Sequence, residues 1–281
     1  MGLPLSQPVA IAAHLLAKAP FLHRVGQLDV RLAASEAEIA AAQALRYRIF
    51  YEEMGATPTA RIAAQQRDID DYDAICDHLL VIDHGVDGVP QVVGTYRLLR
   101  QDVATAHRGF YSASEYDLSP LIAASRPDSQ LLELGRSCVA PAWRNSTTIT
   151  LLWRGIASYL QQHRIGHMIG CASLPGANPL LHAAELSYLY HHHLAPPELR
   201  AEAWASNHVA MNTLAAASID ARAASRALPP LLKGYLRVGA LVGNGGFVDR
   251  QFNTVDVFVV MPVDRITSRY AGRFVSANDE N

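Results

Sequence analysis

The sequence has little cysteine: three residues in 281, Cys76, Cys138 and Cys171, with no CxxC spacing. An odd, unspaced set excludes a disulfide framework and a structural zinc site, and suits a reducing compartment. Charge of either sign is not in excess. Lys and Arg number 24 and Asp and Glu 26, giving a net charge of -2 and a pI near 6.6. Nothing in that balance points to nucleic acid. No apolar run reaches the roughly 20 residues of a spanning helix. The run at 9–16 has no basic residue before it, so a cleaved signal is not expected. What is present is 50% hydrophobic residues, enough for one large α/β core or two small ones.

The first 24 residues read as an arm. Leu15, Leu16, Phe21 and Leu22 with Lys18, His23 and Arg24 nearby form a short amphipathic segment. Such a segment either lies on a membrane surface or packs on its own domain. Leu28, Val30 and Leu32 then alternate with Asp29 and Arg31, which is strand period. Ser35 and Glu38 make a capping box before Ile39, Ala42, Leu45 and Ile49 at helical spacing. The stretch 56–74 lacks periodicity, carries Asp68, Asp70, Asp71 and Asp73, and reads as a functional loop.

Segments 78–83 and 92–99 read as a hairpin, and 118–125 as a short helix. A strand over 131–139 stops at Pro141. Asn145 or Ser146 then caps a helix with Ile149, Leu152, Trp153, Ile156 and Leu160 on one face. A buried strand over 168–172 follows, so strand, helix and strand make a parallel pair. Residues 178–227 read as an Ala-rich helical insertion. Its adjacent His191, His192 and His193 point apart and suit no metal. Strands over 235–242 and 254–260, separated by Gly243, Gly245 and Gly246, close the chain, and Pro262 opens a last short helix.

Three constellations carry chemistry. Glu133 and Arg136 sit inside the apolar strand LLELGRSCV, where charges are rarely buried unless paired. Residues three apart on a regular strand face opposite ways, so Gly135 is expected to mark a bulge. A bulged, splayed strand frees backbone N–H groups for a carbonyl oxygen; a purely structural ion pair is the alternative. The helix mouth at Arg144, Asn145, Ser146 and Thr147 offers donors to a phosphate, or is simply a capped helix. It lacks the glycines of a P-loop or dinucleotide corner. The loop acids with Arg46, Arg48 and Arg97 form either a site for charged substrate groups or a solvated surface.

Five stretches together carry a family resemblance: LRYRIFYEEMGA at 45–56, DIDDYDAICDHLLVID at 68–83, VVGTYRLL at 92–99, LLELGRSCVAPAWRNS at 131–146, and LPPLLKGYLRVGALVGNGGFVDRQFNTVDVFVVMPVDRITSRY at 228–270. They resemble the ornithine-lipid N-acyltransferase family of the GNAT superfamily, related to acyl-homoserine-lactone synthases and N-acyl amino acid synthases. The resemblance implies a GNAT acyltransferase fold over residues 25–275, an α/β architecture with a twisted mixed sheet flanked by helices and splayed at the central strand. It implies transfer of a 3-hydroxyacyl chain from acyl carrier protein to the α-amine of ornithine, giving a lyso-ornithine lipid. The donor thioester would be on phosphopantetheine, with no other cofactor and no metal.

On that resemblance Glu133 is expected as general base and Arg136 as its ionic partner or a carboxylate binder. Backbone N–H groups at Cys138 and Val139 are expected to hold the oxyanion; Cys138 as a nucleophile has no histidine nearby in sequence. Arg144, Asn145, Ser146 and Thr147 are expected to bind the donor phosphate, and Arg46, Asp70, Asp71 and Arg97 the acceptor. Coenzyme A-using relatives resemble one another in a corner whose two glycine positions are Thr147 and Ile149 here. That departure favours a carrier protein, with one phosphate to hold, over coenzyme A. The chain is expected in the cytoplasm, peripheral on the inner face of the membrane through the arm. A sister activity on another amine, or a non-catalytic carrier- or membrane-binding module, remains the alternative.

Overall fold

The computed structural model describes residues 22–85 and 89–266, so the arm lies outside them except for its last three residues. Those begin a hairpin of β1 (His23–Val25) and β2 (Leu28–Leu32). Two of the arm's basic groups are spent on the domain: His23 bonds the Ser158 hydroxyl, and Arg24 pairs with Asp29. Ser35 caps α1 (Glu36–Tyr47) by accepting the Glu38 N–H, while Glu38 reaches back to the Ala34 N–H. The helix does not stop at Tyr47 but continues as wider π-helical turns over Arg48–Glu53. Within the segment read as a loop, Thr59 caps a short helix, α2 (Ala60–Gln65). The acidic turn follows it.

β3 (Asp77–Asp83) and β4 (Gln91–Arg100) form the expected hairpin. Next come α3 (Gln101–Ala106), β5 (Tyr116–Asp117) and α4 (Ser119–Ala124). β6 (Gln130–Val139) leads into α5 (Ser146–His163) and then β7 (Ile165–Pro175), which runs parallel to β6. Asn145 caps α5 by accepting the Thr148 N–H. The buried face of α5 is Thr148, Leu151, Leu152, Gly155, Ile156 and Tyr159, and Ile149 is exposed. The expected stripe is therefore rotated by part of a turn.

The insertion is less helical than its alanine content suggests. α6 (Ala183–His193) ends before Pro196 and Pro197, which cannot supply the N–H groups a continuing helix needs. The chain then runs irregularly through β8 (Glu202–Ala203) and β9 (His208–Val209) before α7 (Ala221–Ala227). The strand expected at 235–242 is also corrected. Pro230 at the first turn opens α8 (Pro230–Arg237), which buries Leu232 and Tyr235 on one face. β10 (Leu241–Asp249) contains the three glycines rather than preceding them, and β11 (Thr254–Pro262) is buried along its whole length. Gly245, with φ +81, belongs to the irregular stretch where the β10–β11 register shifts.

The sheet order is β1-β2-β3-β4-β6-β7-β11-β10-β8-β5, with β9 also pairing β10. Most neighbours are antiparallel; β6 and β7 are the central parallel pair. Their pairing ends at Glu133 and Ile169, although β6 continues to Val139 and β7 to Pro175. Gly170 stands at the parting, and a Cβ there would meet the Leu134 carbonyl oxygen at 2.5 Å. The two halves of one sheet thus separate into a V, with α5 over the β2–β4 side. This is a mixed, splayed sheet flanked by helices, as the resemblance implied.

Candidate active site

The V opens onto a cavity of about 360 Å³. Its walls carry Glu133, Arg136, Cys138 and Val139 from β6 and Arg97 from β4. Arg144, at the mouth of α5, lies at its rim. Glu133 and Arg136 reach the same cavity because β6 is bulged. Thr95 and Arg97 on β4 face Cys138 and Gly135, so two residues of β6, Arg136 and Ser137, oppose the single Tyr96 of β4. The irregular backbone falls on Arg136 itself, at φ +50, and not on Gly135. A non-glycine residue in this left-handed region is strained by about 1–3 kcal/mol, which its interactions must offset.

Those interactions are ionic. Arg136 Nε donates to Asp68 at 3.2 Å, and Nη2 donates to Asp70 at 3.4 Å and to the Tyr111 hydroxyl at 3.2 Å. Its guanidinium also lies 4.6 Å from the Tyr111 ring centre and 4.7 Å from that of Phe252. Arg97 pairs with Asp70 at 2.6 Å and Asp73 at 3.3 Å. Arg46 is fully buried and pairs with Asp68 at 2.8 Å and Asp73 at 2.8 Å. Three arginines and three aspartates form one balanced network. Burial raises the Asp73 carboxyl, but Arg46 and Arg97 bring it below the ordinary aspartate value.

Glu133 stands outside that network and does not pair with Arg136. It is 5% exposed and is held by neutral donors. Tyr111 N–H donates to Oε2 at 2.7 Å, and Ser112 donates its N–H at 2.8 Å and its hydroxyl at 2.5 Å to Oε1. Burial pushes the carboxyl above the ordinary glutamate value, and the Ser112 and Tyr111 bonds oppose the shift. Oε2 accepts one hydrogen bond and keeps further acceptor capacity. A raised, oriented carboxylate in a cleft suits proton transfer.

The thiols are poor nucleophiles. Burial pushes Cys138 and Cys76 up to about 12 and raises Cys171 well above the ordinary thiol value. Among the described residues no histidine lines the cavity. Direct transfer therefore fits the site better than an acyl-cysteine route.

Other expected residues sit apart from the cavity or, like Arg144, are engaged by neighbours. Arg46 lies behind the wall. Asp70 serves Arg97 and Arg136, and Asp71 faces solvent with Arg108. Asn145 spends its carbonyl on the Thr148 N–H, and Ser146 and Thr147 are exposed in the first turn of α5. Arg144 bonds the Val139 carbonyl and grips Glu53 with two contacts of 2.7 Å. The sequence reading missed Glu115, Asp249 and Asp256, which all line the cavity. Asp256 carried the same signal as Glu133, a charge inside the apolar strand TVDVFVVMP.

The family profile described as Acetyltransferase (GNAT) domain matches residues 45–154. The chain is 49% identical over 249 residues to the L-ornithine N(alpha)-acyltransferase of Agrobacterium fabrum (strain C58 / ATCC 33970), covering 88% of this chain and 85% of that one. It is 48% identical over 264 residues to the protein of the same name in Brucella abortus (strain 2308), covering 90% and 93%. Among solved structures it is similar to the AHL synthase LasI, with TM-score 0.45 and 14% identity, covering 84% of this chain and 91% of that chain. With this identity over most of both chains, on a splayed GNAT sheet, the protein is an acyltransferase and belongs to the L-ornithine N(alpha)-acyltransferase family.

Proposed function

We propose that this chain moves a 3-hydroxyacyl group from the phosphopantetheine thiol of an acyl carrier protein to the α-amine of ornithine, giving a lyso-ornithine lipid. The observation that carries the reading is the opening between β6 and β7 with Glu133 in its wall. The names of the relatives supply the acceptor.

The α-ammonium must lose a proton before it can attack, and Glu133 takes it, directly or through one water. The amine nitrogen then bonds the thioester carbonyl carbon, and the oxygen takes up negative charge. Ala140 N–H donates to Val93 O, so strand alternation turns the Val139 N–H away from β4 toward the opening. That N–H is the assigned oxyanion donor. On collapse the C–S bond breaks, the nitrogen sheds its second proton, and the thiolate leaves as a thiol. An amide, a free carrier thiol and one net proton result.

The donor enters over α5. Its first N–H groups and positive dipole end suit one phosphate. Arg144 stands beside them, although a phosphate there must compete with Glu53 for it. Among the described residues no helix is long and apolar enough to cross a membrane. The acylated product is poorly soluble, so its release into a membrane surface is part of this reading.

The test incubates the purified chain with 3-hydroxyacyl carrier protein and ornithine, and follows products by mass spectrometry. N-α-acylornithine and free carrier thiol in equal amounts are expected. Amide formation on other amines but not on ornithine would overturn the acceptor, and equal kcat/KM with the matching acyl-CoA would overturn the donor.

A further inference from the structure

The cavity contains acids that the transfer chemistry does not use. Glu115, Asp249 and Asp256 each present a carboxylate oxygen within 4.8 Å of the other two. They come from the turn before β5, the end of β10 and the interior of β11. Asp256 stands opposite Ser173 of β7, and Asp249 opposite Thr254. Sheet register therefore fixes two of the three.

One of them has an oxygen left bare. Asp256 is 6% exposed, lines the cavity, and its Oδ1 has no hydrogen-bond partner among the described residues. Asp249 spends Oδ1 on the N–H groups of Gln251 and Phe252, which leaves Oδ2. Glu115 accepts only from the Cys171 thiol, at 3.2 Å, among the described side chains. The nearby Arg136 pairs with Asp68 and Asp70 instead. Arg136 acts on Glu115 and Asp256 across the cavity, but among the described residues no cation forms an ion pair with the trio, and a bare buried carboxylate oxygen is costly.

We propose that Glu115, Asp249 and Asp256 seat the side-chain ammonium of the acceptor, and so select a basic amino acid over a neutral one. This rests on the reading of the cavity as a site of amine acylation. An ammonium has three donors and no acceptor, which matches three convergent carboxylates. Burial and mutual repulsion raise the Glu115 and Asp256 carboxyls, which disfavours three full negative charges side by side. A single positive charge suits that better than a divalent metal, which needs its ligands deprotonated. Asp70 and Asp71, the acids expected from sequence, are committed to arginines.

The test compares L-ornithine with L-norvaline, which has the same carbon chain without the terminal amine, using one acyl carrier protein donor. The intact protein should favour ornithine by about 100-fold or more in kcat/KM. Asp249→Asn keeps an oxygen for the Gln251 and Phe252 N–H groups but removes the charge. Asp256→Asn and Glu115→Gln do the same at the other positions. Each should lower the ornithine-to-norvaline ratio by about 10- to 100-fold, through the KM for ornithine. Both acceptors are read in the same preparation, so a smaller folded fraction cancels from the ratio.

An unchanged ratio in all three variants overturns the proposal. So does a chelator that abolishes ornithine use until Mg²⁺ is restored, since a metal is then the occupant. If the acylation reading itself fails, the intact protein acylates neither amino acid. Titration calorimetry of ornithine against norvaline then decides alone: weaker ornithine binding in the variants supports the trio, and unchanged binding overturns it.

Discussion

Replacing Arg46 with Met separates scaffold from substrate contact within the ionic network. Arg46 is fully buried and does not line the cavity. Its Nε meets Asp68 at 2.8 Å, and Nη2 meets the two Asp73 oxygens at 2.8 and 3.0 Å. Met has similar reach, packs without strain and favours a helix. Removing one partner of a buried ion pair costs about 3–5 kcal/mol. Asp68 would retain Arg136 at 3.2 Å and Tyr51 at 3.1 Å, and Asp73 would retain Gln43 at 3.0 Å and Arg97 at 3.3 Å. The expected loss is therefore at the lower end, about 3 kcal/mol, or a fall in Tm of about 6 °C or more. Urea unfolding followed by circular dichroism should show a lower midpoint at an unchanged slope. Acceptor KM, measured well below Tm, should move by less than about threefold. A tenfold rise in acceptor KM with an unchanged midpoint would refute the scaffold assignment and make Arg46 a substrate contact.

Three further changes are expected. Glu133→Gln removes the base and keeps one acceptor oxygen, so either the Tyr111 N–H or the Ser112 N–H retains its bond and the other loses it; kcat should fall by about 10²-fold or more with the far-UV circular dichroism of a folded chain, and near-normal turnover at neutral pH would remove Glu133 from the mechanism. Gly170→Ala places a Cβ 2.5 Å from the Leu134 carbonyl oxygen at φ +156, and should cost about 1–3 kcal/mol in urea unfolding while altering kcat through the width of the opening; a neutral effect on both would mean the strands part for another reason. Glu115 has a folded pKa raised from 4.5 to about 8, chiefly by burial and then by Asp256. A raised acid stabilises the fold fully below its unfolded value and loses that contribution as pH rises through the folded one. Stability of the ligand-free chain should therefore decline between about pH 5 and pH 8, and Glu115→Gln should flatten the decline; an equally steep slope in the variant would assign it to other groups.

Local periodicity made β2, α1, the β3–β4 hairpin, β6 and β7 legible, because each buries one face and its pattern is short-range. Where two patterns coexist it failed. Ile149 is as apolar as Leu152, and only the cap at Asn145 with the sheet beneath decides which face of α5 turns inward. YLRVGALV alternates well enough for a strand, yet Pro229 and Pro230 start a helix that consumes its first three residues. Ala-rich composition favours helix, but prolines and tertiary pairing with β10 overrode it across 194–220. For the site, charges inside an apolar strand were visible at Glu133 and Arg136. Glu115 and Asp249 gave no such sign, since each stands at the end of an element and converges on Asp256 only through the order of the sheet.

The two charge systems differ in kind, and that difference sorts their effects. Arg46, Arg97 and Arg136 against Asp68, Asp70 and Asp73 cancel, so the network is complete without a ligand and its disruption registers as stability. Glu115, Asp249 and Asp256 do not cancel, so they are completed by something that enters and leaves. An acceptor ammonium remote from the attacking nitrogen carries the same charge in the ground state, the transition state and the product. Contacts of that kind bind all three alike, which sets KM and selectivity but does not accelerate the chemical step. Glu133 is the opposite case, because its proton moves only during reaction and its loss is read in kcat. The product also loses its α-ammonium while keeping the side-chain charge, so the trio continues to hold it after transfer. Release then depends on the other end of the molecule, where the acyl chain gains by leaving water for a lipid phase at about 0.8 kcal/mol per CH₂.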